Sequence, residues 1–238
     1  MTRCYRNPLV AILLSLSAHA EDGKPSSAPL AIRSFVLDPT HAVAALYLQD
    51  AKGEMVKLNV ASMELGQVQQ TVPVNGSLVL FNTATVDWKN PESAVAASVA
   101  VPQTMRRAIV IIMPAPANSK PACRMVLIDD SLEAFAKGSS VILSLAPLET
   151  AIEVGEYKLP CKPGAFTKVA AVKKIDHYNM AQTNFYYRKN GAWIVFSECK
   201  MKYLDVFRQL FIVYMRPGGT APSLTTLIDQ VPQPLPAK

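Results

Sequence analysis

Residues 106–114 read Arg-Arg-Ala-Ile-Val-Ile-Ile-Met-Pro, and residues 208–215 read Arg-Gln-Leu-Phe-Ile-Val-Tyr-Met. Each run is a strand-sized apolar stretch led by arginine, and each is followed downstream by Leu-Ile-Asp, at residues 127–129 and 227–229. The offset is 102 residues at the arginines and 100 at the aspartates. A repeat of this length matches one immunoglobulin-like sandwich. The sequence therefore predicts an all-β chain of two tandem immunoglobulin-like antiparallel β-sandwiches.

Short apolar segments separated by turn residues fill the rest of the chain, and this pattern is typical of sandwiches and barrels. The clearest hairpin joins residues 185–188 to residues 193–197 through Asn-Gly at 190–191, which suits a tight turn between twisted strands. We predict sandwiches over residues 30–134 and 138–231. The alternative is a single larger β-fold whose apolar strands are similar by chance.

The N-terminal residues predict export. Two arginines precede the apolar run 9–16, and Ala-His-Ala at 18–20 presents the small residues that signal peptidase requires. Residues 1–20 are therefore predicted to be a signal peptide cleaved before Glu21, which places the mature chain in the periplasm or outside the cell. An uncleaved anchor is the alternative. No later segment is long enough to span a membrane as a helix, since the most apolar later run, residues 108–113, is strand-sized.

Charge is distributed unevenly along the chain. Residues 21–154 carry 10 basic and 13 acidic side chains, whereas residues 155–216 carry 11 and 4, a net charge of +7. An excess of this kind predicts an anionic partner for the second sandwich. Outside the cytoplasm that partner is an acidic glycan, a lipid head group or an acidic protein rather than nucleic acid. A solvated basic face without a partner is the alternative.

The Asn-Gly hairpin carries the candidate binding residues. Aromatic rings beside cations stack on sugar rings, while the cations bind carboxylates or phosphates. Strand alternation places Phe185 and Tyr187 on one face and Tyr186 on the other, so one of the two sets belongs to the core. Cross-strand aromatic packing alone is the alternative explanation. The predicted ligand-binding residues are Tyr186, Tyr187, Arg188, Lys189, Trp193, Lys200 and Lys202.

Local catalytic and metal-binding motifs are absent from the sequence. After residue 20 the only histidines are His41 and His177, and there is no Cys-x-x-Cys pair, so we predict no metal site and no cofactor. Ser197 and Lys200 have the Ser-x-x-Lys spacing of some acyl-transfer enzymes, but that spacing requires a helix. On a strand, positions three apart point to opposite faces. We predict a protein that is not an enzyme, with an envelope hydrolase using this pair as the alternative.

The adjacent carboxylates of Asp129 and Asp130 are also candidates for a catalytic or metal-binding role. Neighbouring side chains on an extended chain point in opposite directions, so the two cannot share a proton as a catalytic dyad. We predict that Asp130 caps the turn that begins at Ser131. Calcium binding is the alternative.

The predicted mature chain keeps Cys123, Cys161 and Cys199. An oxidising compartment permits one disulfide and leaves one thiol. We predict a bond between Cys161 and Cys199, because both lie in the second repeat. Three unpaired buried thiols are the alternative.

A group of turn motifs gives the chain a resemblance. Over roughly residues 106–230 it resembles an uncharacterised group of exported β-rich proteins of environmental bacteria, for which no activity can be carried over. Cys161 departs from the pattern, because a non-reactive residue is expected at this place beside the turn at Pro163-Gly164. The motifs are Asp129-Asp130-Ser131, Lys137-Gly138-Ser139, Lys162-Pro163-Gly164, and Ile228-Asp229 after an arginine-led strand.

These observations together predict a non-catalytic exported module with a binding or structural role in the cell envelope, whose basic second sandwich contacts an anionic partner. Besides the hydrolase, a further alternative is an assembly partner of a secretion or adhesion complex, which binds through an exposed sheet edge.

Overall fold

The computed structural model describes residues 28–37, 45–62, 64–115, 119–121 and 123–230. These residues form sixteen β-strands and one short 3-10 helix, Pro91–Ala94, so the predicted all-β class is confirmed. The predicted signal peptide lies outside the described residues. The strands are β1 (Leu30–Val36), β2 (Tyr47–Gln49), β3 (Met55–Lys57), β4 (Gln69–Thr71), β5 (Ser77–Phe81), β6 (Val95–Ala100), β7 (Arg107–Pro114), β8 (Cys123–Asp129), β9 (Ser140–Ser144), β10 (Thr150–Val154), β11 (Tyr157–Cys161), β12 (Phe166–Val169), β13 (Met180–Lys189), β14 (Ala192–Lys202), β15 (Arg208–Met215) and β16 (Pro222–Asp229).

The strands form two β-sandwiches with the same topology. In the first sandwich, a sheet of order β4-β1-β7-β8 faces a sheet of order β3-β2-β5-β6. In the second, β12-β9-β15-β16 faces β11-β10-β13-β14, so every strand has a counterpart eight positions later. The first strand of each sandwich pairs in parallel with the seventh, and the other described pairs are antiparallel. The predicted tandem arrangement is confirmed, although this strand order differs from the ABED and CFG sheets of immunoglobulin constant domains.

The four sheets stack as four layers. One hydrophobic core fills the first sandwich, and a second core fills the second sandwich. A third core joins the two sandwiches, because the β4-β1-β7-β8 sheet packs against the β12-β9-β15-β16 sheet. We call these two the inner sheets and the other two the outer sheets. The third core is built from Phe35, Leu37, Ile109, Ile111, Ile128, Phe135, Val141, Leu143, Leu210, Ile212 and Leu227.

Burial on both faces explains the apolar runs at the centre of each sequence repeat. Ala108, Val110 and Ile112 of β7 point into the core of the first sandwich, whereas Ile109 and Ile111 point into the third core. Strands covered on both faces have nearly continuous apolar sequences instead of alternating ones. β15 of the second sandwich is likewise buried on both faces, with side chains in the second and third cores.

The directions of the side chains show that the structural repeat is displaced by one residue from the repeat found by matching the two sequence segments. Arg106 is exposed and donates hydrogen bonds to nearby carbonyl oxygens, so it is not the counterpart of the buried Arg208. Arg107 points to the same side of its strand as Ile109 and is the equivalent of Arg208. Asp130, rather than Asp129, corresponds to Asp229 by the same criterion. The sequence match missed this because apolar strands align nearly as well when displaced by one residue, although that displacement exchanges the two faces.

Candidate functional site

The second sandwich carries a hairpin whose paired strands are longer than their counterparts in the first. β13 and β14 have 10 and 11 residues, whereas the equivalent β5 and β6 have 5 and 6. Asn190 and Gly191 turn the chain with φ values of 51° and 82°, as the sequence predicts for a tight turn. β13, this turn and β14 are called the extended hairpin below. Since the same topology forms in the first sandwich with shorter strands joined by residues 82–94, the added strand length is not a requirement of the fold.

A β-bulge divides the extended hairpin into two parts. Phe185 pairs with Ser197 and Tyr186 pairs with Val195, which leaves Phe196 as the extra residue. The Phe196 ring turns toward the core, where it lies 6.2 Å from the Phe185 ring and 6.1 Å from the Tyr187 ring. The bulge therefore anchors the hairpin to the core just before its projecting end.

The two faces of β13 separate core residues from surface residues, as strand alternation predicts. Phe185 lies in the core of the second sandwich, and Tyr187 is only 6% exposed. Tyr187 is therefore a core residue, and its assignment to the ligand-binding set is corrected. Tyr186, Arg188 and Trp193 lie on the opposite, outer face of the sheet, because Arg188 pairs with Trp193 and has the same direction as Tyr186.

Aromatic and charged groups on the outer face contact each other. The Arg188 guanidinium lies 6.0 Å from the centre of the Trp193 ring and 3.0 Å from the Glu149 carboxylate. The Tyr186 hydroxyl donates a 2.8 Å hydrogen bond to Glu153, and this bond lowers the pKa of that carboxyl, as does the nearby Lys158 ammonium. The outer face thus presents one partly exposed tyrosine and one tryptophan beside a paired cation.

The lysines predicted to bind a ligand fall into two classes. Lys200 is paired with Asp176 at 2.7 Å, and its hydrogen bond, together with backbone amides, lowers the pKa of Asp176 to about 2. Its charge is therefore already compensated. Lys189 and Lys202 are exposed, and within the described part of the chain neither forms an ion pair. Of the predicted cations, these two are the ones available to an anionic partner.

Three consecutive apolar residues are exposed at the start of β14. Trp193, Ile194 and Val195 are 47%, 39% and 45% exposed. β14 is the terminal strand of its sheet, and within the described residues the backbone groups of 192–199 form no backbone hydrogen bond outside β13. The sequence prediction included Trp193 and missed its two neighbours, although three apolar residues directly after an Asn-Gly turn were the available signal.

The Ser-x-x-Lys match does not form a catalytic pair. Ser197 pairs with Phe185 and lies on the core side, whereas Lys200 pairs with Gln182 on the outer face. The Lys200 ammonium binds Asp176. The two side chains are therefore separated by the sheet, as expected for residues three apart on a strand.

The predicted disulfide is absent, because Cys123, Cys161 and Cys199 are all free thiols. Cys161 is on β11 and Cys199 on β14, with two strands between them. Three inter-strand spacings separate these strands by about 14 Å, and Cys161 is level with Tyr187 whereas Cys199 is level with Thr183, so the two residues are also displaced along the strands. Their Cα atoms are therefore well beyond the limit of about 7 Å for a disulfide. Burial raises the pKa of all three thiols, which lowers their reactivity.

A buried ion cluster joins the two sandwiches. Arg33 of β1 binds both carboxylates, with its guanidinium nitrogens 2.7 Å from Asp130 and 2.8 Å from Asp229. Arg208, which is 0% exposed, donates to the same two carboxylates and stacks 4.4 Å from the centre of the Phe135 ring. Arg107 lies 3.7 Å from Asp130. We call Arg33, Arg107, Asp130, Arg208 and Asp229 the ion cluster.

The ion cluster holds the two sandwiches together at their interface through charged hydrogen bonds. Burial on its own would raise the pKa of Asp229, but hydrogen bonds from Arg33 and Arg208 outweigh burial and hold that pKa below its ordinary value. The first sandwich supplies Asp130 and two arginines, the second supplies Asp229 and Arg208, and both carboxylates are bound by charged donors from both sandwiches. Asp129, rather than Asp130, caps the following turn by accepting the amide hydrogen of Ser131. The predicted capping role of Asp130 is therefore wrong, because its side chain turns into the interface.

Among the described residues there is no group of three or more side chains that could hold a metal ion, and no helix is long and apolar enough to cross a membrane. Compared with known proteins, the chain matches no protein-family model and none of the curated proteins.

Proposed function

We propose that this chain is a non-catalytic exported module of the cell envelope that binds an anionic partner through the extended hairpin. The observation that carries the proposal is the difference between the two sandwiches. They share one topology, and the first sandwich also exposes Trp88 beside Lys89 in the connection between β5 and β6, but only the second continues its paired strands into an exposed edge that carries Trp193, Ile194 and Val195. A feature that the common fold does not need, and that exposes apolar surface to water, points to a contact with another molecule.

Charge supports an anionic partner. The second sandwich holds the basic part of the sequence, with a net charge of +7 over residues 155–216. Lys189 lies at the tip of the extended hairpin and Lys202 at its other end, and both are available for binding. A basic surface of this kind speeds encounter with anionic surfaces, and the effect weakens as salt rises. Location in the envelope rests on the predicted signal peptide at residues 1–20.

A second candidate function is an assembly partner that binds through a sheet edge. It is favoured by one observation, the exposed apolar residues at the free edge of β14. The hydrolase alternative has no comparable support, since Ser197 and Lys200 lie on opposite faces.

The experiment compares retention of the mature chain on three anionic surfaces, namely immobilised polyglutamate, a polyuronate and vesicles of anionic phospholipid, at about 50 and 300 mM salt. Changing four hairpin cations to serine should abolish retention. A control protein with four exposed cations of the first sandwich changed to serine should be retained like the wild type. The hairpin substitutions are Arg188→Ser, Lys189→Ser, Lys200→Ser and Lys202→Ser, and the control substitutions are Lys52→Ser, Lys57→Ser, Lys89→Ser and Arg124→Ser.

Both variants lose four positive charges, so a difference between them reports the place of the charge and not its amount. Equal retention of the two variants, or no retention of the wild type on any of the three surfaces, would contradict the proposal.

A further inference from the structure

The free edge of β14 is protected along only part of its length. Natural edge strands avoid unwanted pairing through lysines, bulges or short length. In β14 these devices come after Val195, where the bulge at Phe196 is followed by Lys200 and Lys202. Residues 192–195 carry no charge, and all four are exposed. This four-residue stretch is therefore an open edge.

The exposed side chains of the open edge lie on both sides of the sheet. Trp193 and Val195 pair with Arg188 and Tyr186, and these pairs lie on the outer face. Ile194 pairs with Tyr187 and points to the opposite side, beyond the end of the core. A flat ligand stacked on the outer face would cover Trp193 and leave Ile194 in water. A ligand that covers all three must lie along the edge itself.

We propose that an extended segment of a partner protein adds as a further strand to residues 192–195 of β14. The segment has apolar residues at its centre, where they flank Trp193, Ile194 and Val195, and acidic residues at its ends. This inference rests on the proposed function and names the class of its anionic partner. Backbone hydrogen bonds to the unpaired edge provide affinity, and the side chains on the two faces provide specificity.

Charge complementarity selects a partner protein over a second copy of this chain. Lys189 stands at the tip beside the open edge, and Lys202 stands beyond the bulge at the other end. Two copies paired along β14 would bring two surfaces of the same sign together, each from a segment with a net charge of +7. An acidic segment gains from the same cations. The counterpart strand β6 has six residues and no comparable apolar exposure, so it offers no second open edge of this kind.

The first experiment measures binding of the full mature chain to an immobilised library of extended twelve-residue peptides, with alternating apolar residues at the centre and Asp or Glu at both ends. Peptides of this pattern should bind the wild type and lose at least about tenfold in affinity to Val195→Lys, which places a charge on the open edge. Val60→Lys is the matched control, because Val60 is a valine of similar exposure (42%) away from β14. Thermal unfolding of both variants checks that each is folded.

The second experiment separates strand addition from binding by side chains alone. The tightest peptide is resynthesised with N-methyl groups at alternate central residues, which removes the amide hydrogens on one edge and keeps every side chain. If a strand is added, the peptide that is methylated on its pairing edge should bind about tenfold more weakly than the unmodified peptide. Hydrogen exchange of β14 amides should also slow when the unmodified peptide binds. Equal affinity of the methylated and unmodified peptides, or no protection of β14, would overturn the strand-addition proposal.

The outcomes distinguish this inference from the proposed function. The wild type could be retained on polyglutamate, polyuronate or vesicles while no library peptide binds it more tightly than it binds Val195→Lys. That result overturns strand addition and leaves the anionic-partner proposal standing. Self-association of the chain through β14, detected as a dimer that Val195→Lys abolishes, assigns the edge to a second copy and overturns the partner-protein proposal. Loss of both retention and peptide binding overturns both proposals.

Discussion

Removing the Arg208 guanidinium while keeping the length of its side chain, by Arg208→Met, should destabilise the whole chain. The guanidinium donates through Nε and Nη2 to Asp229, through Nη2 to Asp130 and through Nη1 to the carbonyl oxygen of Phe135. Methionine fills similar space but donates none of these bonds. Two buried carboxylates would then depend mainly on Arg33, and the stacking on the Phe135 ring would be lost.

Breaking a buried ion pair by removing one partner costs about 3 to 5 kcal/mol. Because Arg33 still binds both carboxylates, we expect the lower end, about 3 kcal/mol of the free energy of unfolding. Arg188→Met provides the matched control. Arg188 also contacts a carboxylate at 3.0 Å, but both groups are about half exposed, so that substitution should cost no more than about 1 kcal/mol.

Urea unfolding followed by circular dichroism measures both variants, with the free energy taken from the linear dependence on denaturant. The slope m should stay at the wild-type value, since the substitution changes a contact and not the surface exposed on unfolding. A loss for Arg208→Met within about 0.5 kcal/mol of the loss for Arg188→Met would refute the conclusion that the ion cluster stabilises the interface.

Three further predictions follow from the acid–base groups, the thiols and the N-terminus. Because the pKa of Asp229 lies below its ordinary value of 3.8, its contribution to stability is present above that value and is lost as the pH falls through the lower pKa of the folded protein. The cost of Asp229→Asn, measured by urea unfolding, should therefore shrink from pH 7 to pH 3, and a cost independent of pH would contradict this linkage. Denatured protein lacking residues 1–20 should titrate three thiols with a thiol reagent in the absence of reductant, and fewer than three would indicate a disulfide. Mass spectrometry of exported protein should give a chain that begins at Glu21, whereas an intact Met1 or a lipid adduct would exclude the predicted cleavage.

The repeat and the Asn-Gly turn predict much of the fold because both depend on local chemistry. A strand-sized apolar run bounded by turn residues favours a buried strand, and Asn190 and Gly191 adopt the positive φ that a tight turn requires. The packing of the two sandwiches was not predictable in this way. The continuous apolar run of residues 108–113 indicates that both faces of the strand are covered, but which sheet covers Ile109 depends on how the sheets stack.

The candidate site was predictable at the level of the hairpin but not of each residue. Alternation correctly separated Tyr186 from Tyr187, because cross-strand geometry is local. The sequence did not reveal that Lys200 is already paired, since Asp176 lies in a distant loop. Arg33 was also missed, although an arginine within the apolar stretch of residues 30–36 was a visible signal of a buried charge.

The stacking of four sheets has a consequence for which substitutions the protein can accept. Both faces of each inner sheet are covered, so a change of side-chain volume there disturbs one core or another. Only the outer sheets have a face in water, and they lie at opposite ends of the stack, about 30 Å apart if each layer spacing is about 10 Å. Variation of surface properties is therefore confined to two remote faces. Changes on the outer face of the first sandwich can alter solubility or attachment of the protein while the extended hairpin, three layers away, keeps its structure.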